Sequence, residues 1–136
     1  MRDMDEEIDE KEERMLILID TVAPYDVEVK AGARSYSVLV LDMREYRTDE
    51  WTELITGFAS IEVATEYATR RIRASIEDIR ETHSNPVDIR RVWFEFGDDC
   101  VVIGGNYRGS AHLSTYIENV AVGEECAYWA LEPRWG

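Results

Sequence analysis

The chain is short and strongly acidic, with 136 residues, 29 acidic and 15 basic side chains and a formal net charge of −14. This length suits one domain with its own core, and a hydrophobic fraction of 45% is typical of a globular protein. The negative charge disfavours binding to nucleic acid and to anionic membranes, because phosphate contacts need a basic surface. It is compatible with a basic protein partner.

The N-terminus and the cysteines are informative about the cellular location of the protein. Residues 1–7 are acidic, whereas a secretory signal begins with a basic segment followed by an apolar run. The apolar run at residues 15–19 is far too short to cross a bilayer. Cys100 and Cys126 are the only cysteines, so buried free thiols are expected rather than a disulfide framework. We therefore predict a cytoplasmic protein.

The beginning of the chain differs in composition from the rest. Residues 1–14 hold eight acidic and three basic side chains, a run typical of a solvated tail. An acidic arm that binds a partner is the alternative interpretation. We predict that residues 1–14 form a flexible acidic tail and that residues 15–136 form a single α+β domain.

Four segments that follow the tail have the length and apolar content of strands. They cover residues 15–22, 27–31, 36–42 and 51–58. In residues 36–42 apolar side chains occupy both alternating faces, which favours a central strand. Polar turns between the segments predict an antiparallel meander.

Residues 60–83 predict one long helix. Ser60 is a suitable N-cap because its hydroxyl can accept a hydrogen bond from an unpaired backbone N–H. Apolar residues then recur at spacings of three and four and share one helix face: Ile61, Ala64, Ala68, Ile72, Ile76 and Ile79. The simplest partner for such a stripe is the flat face of a sheet. We predict a two-layer α+β fold in which an antiparallel sheet of about four strands packs against this helix, with one or two shorter helices.

A second helix is predicted to begin at Pro86. Asn85 is suited to the N-cap, proline is favoured at the first helical position, and Gly97 supplies a stop. The alternative is a strand through residues 92–96. The helix is favoured because start and stop signals flank the segment in the correct order.

Three more elements are predicted further along the chain. Residues 100–103 form a short apolar strand, and residues 111–121 keep helical spacing with Ser110 as a possible N-cap. Residues 126–131 are predicted as a last strand at a sheet edge, since Pro133 prevents further pairing.

Two segments resemble a group of small uncharacterised bacterial proteins. In residues 57–64 a strand ends in Phe before a capped helix, and residues 96–103 read Phe-Gly-Asp-Asp-Cys-Val-Val-Ile. Asp98 stands where that group usually has Glu, and Cys100 stands where it usually has Pro. The resemblance spans about residues 36–103. It implies the same order of strands and helices and no activity or catalytic residue.

Four polar residues beyond the second helix are candidate ligand contacts: Asp98, Asp99, Arg108 and His112. They could line a polar pocket for a small molecule. Residues 104–110 are glycine-rich and are favoured as a plain connecting turn, and backbone N–H groups that bind an anion are the alternative. The spacing matches no zinc or calcium site, and we predict neither a metal nor a cofactor.

Two tryptophans near the C-terminus, Trp129 and Trp135, are candidate partner contacts. Such residues either join the core or form an exposed patch for a partner, and the core is favoured for Trp129. No catalytic constellation is present, so we expect a non-enzymatic protein that acts through protein–protein contacts, as a homodimer or with a basic partner, as toxin-neutralising immunity proteins do. The alternative is a small-molecule binding protein or an enzyme that uses the polar pocket.

Overall fold

The computed structural model describes residues 36–133, which contain three strands and three α-helices. In chain order these are β1 Tyr36–Asp42, β2 Thr52–Phe58, α1 Ile61–Arg80, α2 Pro86–Phe96, β3 Asp98–Ile103 and α3 Leu113–Glu118. The α+β class predicted from the sequence is confirmed. The predicted acidic tail and the predicted strands at residues 15–22 and 27–31 lie outside the described residues.

The sheet is antiparallel with the strand order β2-β1-β3. β1 is the central strand, as predicted, and Val38 lies opposite both Ile55 of β2 and Val102 of β3. Its residues from Ser37 to Leu41 are buried, which explains why apolar side chains occupy both faces. Within residues 36–133 the sheet has three strands, whereas the sequence predicted about four.

The long helix α1 begins as predicted but ends at Arg80 and not at residue 83. Ile61, predicted in the buried stripe, is only half-buried at the start of the helix. Ser60 Oγ accepts from the N–H of Val63 at 3.1 Å and so caps the helix. Its buried residues are Ala64, Tyr67, Ala68, Ile72, Ile76 and Ile79. This face contacts all three strands, and a fully buried isoleucine contributes roughly 1.5–3 kcal/mol. Among the described residues, no helix is both long enough and apolar enough to cross a membrane.

The second helix, α2, is confirmed over the strand alternative. Asn85 Oδ1 accepts from the N–H of Val87 at 2.8 Å, and Pro86 occupies the first turn. The N–H of Gly97 donates to the Trp93 carbonyl at 2.8 Å and closes the helix. A glycine is needed there because a Cβ would collide with the buried indole of Trp93.

Two downstream elements differ in length from their predictions. β3 begins at Asp98, two residues earlier than expected, because its first two residues still pair with the end of β1. α3 covers only Leu113–Glu118 of the predicted helix. It is shorter because Gly109–His112 forms a 3₁₀ turn, so Ser110 lies inside that turn and does not cap α3.

The predicted strand at residues 126–131 is wrong. Residues 119–131, here called the C-terminal strap, lie along α1 and contain two 3₁₀ turns, Gly123–Cys126 and Tyr128–Leu131. Side chains of α1 bind the strap backbone at three points: Arg73 Nη2 to Asn119 O at 2.7 Å, Arg70 Nη1 to Ala127 O at 3.3 Å, and Glu77 Oε2 from Ala121 N at 3.2 Å. Backbone groups must find a partner somewhere, and these found charged side chains instead of a neighbouring strand.

Candidate functional site

Asp98 and Asp99 lie in separate environments. They are consecutive in β3, and consecutive side chains of a strand point to opposite faces. Asp98 lies beside α1, where its Oδ2 is 3.4 Å from Arg71 Nε. Asp99 instead lies with Ser110 and Arg108. The structure therefore brings Asp99 and Arg108 together and places Asp98 elsewhere.

Two carboxylates and two guanidinium groups form a charge cluster where β1 ends and β3 begins. Asp42 and Asp98 are directly opposite each other in the strand register, an arrangement in which like charges repel. Arg44 Nη2 is 3.6 Å from Asp42 Oδ2, and Arg71 Nε is 3.4 Å from Asp98 Oδ2. Burial raises the pKa of Asp98, and the charge of Arg71 opposes that rise. The arginines thus compensate the repulsion between the two acids.

Arg71 is also held by two tyrosines. Its Nη1 donates to the Tyr67 hydroxyl at 2.7 Å, and its guanidinium lies 5.0 Å from the centre of the Tyr128 ring, within cation–π range. Burial alone would lower the pKa of Arg71, but nearby Tyr67, Cys100 and Asp98 raise it. Burial raises the pKa of Tyr67 to about 12. Arg71 is therefore a permanent cation beside a neutral phenol.

The charge cluster forms one end of a cleft of about 360 Å³, here called the α1–α2 cleft. Val92 and Phe96 of α2 form one wall. α1 supplies the other with residues spaced by three and four along one face: Arg71, Ala74, Ser75, Asp78 and Ile79. Thr82, just beyond the end of α1, extends this wall. The cleft thus combines charged groups at one end with an apolar wall.

A smaller cavity of about 230 Å³ adjoins the same cluster. It shares Arg44, Arg71 and Asp98 with the α1–α2 cleft. Its lining also includes Glu50 and Glu53, so carboxylates surround the two guanidinium groups on this side.

Asp99 lies in a buried polar group with unused hydrogen-bonding capacity. Its Oδ1 accepts from the backbone N–H of Cys100 at 2.8 Å and of Ser110 at 2.9 Å. Its Oδ2 and the Nε of Arg108 are buried and have no hydrogen-bond partner among residues 36–133. Burial raises the pKa of Asp99 to about 6, against the lowering effects of the Cys100 N–H and the Arg108 charge. A side chain at Gly109 would collide with Ile72, so only glycine lets this turn approach α1.

His112 belongs to an aromatic group rather than to a catalytic one. Its ring stacks on Tyr107 with centroids 5.3 Å apart and lies 5.8 Å from the ring of Tyr116. Cys100 is fully buried, and burial raises the pKa of its thiol, which makes it a poor nucleophile. No group of His, Cys, Asp or Glu within residues 36–133 could hold a metal ion.

Trp129 lies on the C-terminal strap with 63% of its surface exposed, and Trp135 lies outside the described residues. The ring of Trp129 touches only the edge of Tyr128 among the described aromatic contacts, with centroids 5.4 Å apart. Val120 and Val122 of the same strap are also exposed. Residues 109–133 contain four glutamates and no lysine or arginine. Two of these glutamates, Glu124 and Glu125, lie on the strap, and Glu118 and Glu132 flank it, so the strap surface is both apolar and acidic. Trp129 lies in this surface and not in the core, which the sequence favoured for it.

Sequence reasoning missed three cleft residues, Arg44, Arg71 and Asp78. Arg71 and Asp78 are seven residues apart on α1, beside the apolar stripe, so helical spacing could have placed them on one face. Arg44 carried no such signal, because it follows β1 in a 3₁₀ turn and meets Asp98 only through the strand register.

The chain matches no protein-family model, no curated protein and no solved structure. The resemblance of residues 57–64 and 96–103 to small bacterial proteins therefore stays a prediction.

Proposed function

We propose that the protein acts through contact with another protein and that the C-terminal strap makes this contact with a basic partner. The observation that carries the proposal is the surface of the strap. Val120, Val122 and Trp129 are exposed there, and every charged side chain within residues 109–133 is a glutamate. Tryptophan is enriched among the residues that dominate binding energy, and charge complementarity selects a partner of opposite sign.

The strap is also ordered before any partner arrives. Arg73 binds the carbonyl of Asn119, Arg70 binds that of Ala127, and Tyr128 packs edge-on against Tyr67 with ring centroids 5.8 Å apart. A surface that is already held in place loses less conformational entropy on binding. These contacts therefore favour the strap as a binding surface.

The charge of the strap also favours a different protein over a second copy of this chain. A homodimer formed through the strap would bring two sets of glutamates together. A basic toxin that an acidic immunity protein neutralises is one class of partner that fits. Both cysteines are free, which fits the proposed cytoplasmic location, since thiols persist in reducing compartments.

A photo-crosslinking experiment in the native cells tests this proposal. Trp129 is replaced by p-benzoylphenylalanine, an aromatic residue that crosslinks on irradiation. Val87 of α2, 72% exposed, receives the same residue as a matched control. We expect one adduct with a basic protein from position 129 and none from position 87. Glu118→Gln combined with Glu124→Gln should reduce the yield of this adduct, because the two changes remove negative charge that attracts a basic partner. Both glutamates are exposed, so the fold should persist.

Two outcomes would overturn the proposal. One is the absence of a specific adduct from position 129, and the other is an adduct with a partner that is not basic. Trp129→Ser tests whether replacing this tryptophan disturbs the fold. Its free energy of unfolding should differ from that of the wild type by about 0.5 kcal/mol or less, as is usual for substitutions at exposed sites.

A further inference from the structure

We propose that the α1–α2 cleft binds a small zwitterion with an apolar side chain, such as a free amino acid or a dipeptide. This site shares Tyr128 with the C-terminal strap but includes none of Val120, Val122 and Trp129, and its test is independent of the proposed protein contact. The ligand carboxylate binds Arg44 and Arg71, the ligand ammonium binds Asp78 and Asp98, and the ligand side chain lies along Val92 and Phe96.

The charges of the cleft determine this class of ligand. Arg44 and Arg71 supply two positive groups, and Asp78 and Asp98 supply two negative groups. A ligand of one sign would be attracted by one pair and repelled by the other. A ligand that carries both signs satisfies both pairs.

A second acid lies along the cleft from the arginines. Arg71 and Asp78 are seven residues apart on one face of α1, about 10 Å along the helix axis. The carboxylate of Asp78 is exposed and makes no hydrogen bond or ion pair with another residue of 36–133, so it can accept from a ligand ammonium. The cleft therefore offers a cationic end and a separate anionic position.

The existing ion pairs leave the arginines able to bind a carboxylate. Charge-assisted hydrogen bonds are about 2.7–2.9 Å long. The contacts between Arg44 and Asp42 at 3.6 Å and between Arg71 and Asp98 at 3.4 Å are both longer. The side chain of Arg44 is also 65% exposed. A ligand carboxylate can make shorter contacts than the protein's own acids make.

The apolar wall and the volume agree with this assignment. Phe96 is 57% exposed at the edge of the cleft, where an apolar ligand group would cover it. A volume of about 360 Å³ lies at the small end of the range for ligand pockets, which begins at about 300 Å³. Glu50 and Glu53 lie on the far side of the two arginines and disfavour a multiply charged anion such as a nucleotide phosphate.

The test is an NMR titration of the full-length ¹⁵N-labelled protein with the twenty amino acids and with dipeptides of apolar residues. For the tightest binder, two matched analogues are added, one without the amino group and one without the carboxylate. We expect at least one zwitterion to shift the amide signals of the cleft residues, and each analogue to bind at least tenfold more weakly.

Matched variants assign the binding to the cleft. Asp78→Asn and Arg44→Gln should each weaken it at least tenfold, and both side chains are exposed, so the fold should persist. Glu81→Gln at the end of α1 and Arg91→Gln on α2 remove the same charges outside the cleft and should leave the affinity unchanged. The proposal is overturned if no zwitterion shifts the cleft signals, if either analogue binds as tightly, or if the controls weaken binding equally.

Discussion

The body of the domain, residues 36–103, and the C-terminal strap both contact α1, but different forces hold them there. The body contacts α1 through buried apolar side chains such as Ile72 and Ile76, which are fully buried. The strap contacts it largely through Arg70, Arg73 and Glu77, whose charged ends bind backbone groups, and also through the ring of Tyr128, which packs against Tyr67. Apolar burial leaves a periodic pattern in the sequence, whereas hydrogen bonds from side chains to a distant backbone leave none.

This difference in contacts predicts that the strap is less stable than the body. Burial of an isoleucine contributes roughly 1.5–3 kcal/mol, and many such residues form one cooperative core. A hydrogen bond to a charged group contributes about 1.5–3 kcal/mol and less where solvent competes. The strap should therefore detach without unfolding the body.

The largest effect should follow from a cavity in the body. Ile76→Ala removes a fully buried side chain on the sheet-facing side of α1. We expect a loss of about 2–5 kcal/mol in the free energy of unfolding, measured by denaturant titration. Val87→Ala, at a site 72% exposed, is the control and should change it little. A loss below about 1 kcal/mol for Ile76→Ala would contradict the view that apolar burial holds the body together.

An effect of intermediate size, and a gain in stability, should follow from replacing Asp99. This residue of β3 accepts a hydrogen bond from Ser110, in the segment that precedes the strap. The pKa of Asp99 is raised to about 6, so the folded state binds a proton more tightly than the unfolded chain. The stability that this proton supplies is present at low pH and is lost as pH rises through about 6.

Asp99→Asn mimics the protonated acid and can still accept from the N–H groups of Cys100 and Ser110. At pH 7.5 we expect the variant to be more stable than the wild type by on the order of 2–3 kcal/mol. This advantage should shrink as pH falls to 5, which denaturant titrations across that range measure. A variant less stable than the wild type at pH 7.5 would show that the ionised form of Asp99 stabilises the fold.

The smallest effect on stability should follow from loosening the strap. Arg73→Gln removes the bond to the Asn119 carbonyl and the ion pair to Glu125, whose oxygen lies 3.8 Å away. We expect a cost of about 1–2 kcal/mol. Hydrogen exchange at Ala121 and cleavage by a Glu-specific protease after Glu124 should both become faster.

Arg91→Gln is the matched control for Arg73→Gln, since the ion pair of Arg91 with Asp88 lies within α2. It should leave exchange in the strap unchanged. If Arg73→Gln instead speeds exchange equally across α1 and the sheet, the strap and the body form one cooperative unit.

Much of the body could be predicted because its signals are local. The cap at Ser60, the Asn85-Pro86 start and the stop at Gly97 each depend on a few neighbouring residues, and each was found where expected. The prediction of a strand at residues 126–131 was wrong because it also depended on local composition. Residues 126–131 have the apolar and aromatic composition of a strand. Their backbone instead forms local bonds within 3₁₀ turns, and the Ala127 carbonyl accepts from Arg70 of α1, 57 residues earlier.

The candidate site likewise contains residues that the sequence identified and residues that only the fold brought together. Asp98 and Asp99 were identified as a pair of acids, but the strand geometry that sends them to opposite faces separates their roles. Arg44 and Arg71 reach Asp98 through strand pairing and helix docking, so neither is a sequence neighbour of Asp98.

The sequence by itself determined the α+β class, the central position of β1 and the starts of the two main helices, because period and caps act within a few residues. Only the tertiary structure decided the charge cluster, the α1–α2 cleft and the path of the strap. These depend on contacts such as Arg71 with Asp98, 27 residues apart, and Arg73 with Asn119, 46 residues apart. Charged side chains can meet many partners, and packing of the apolar core selects which of them come within reach.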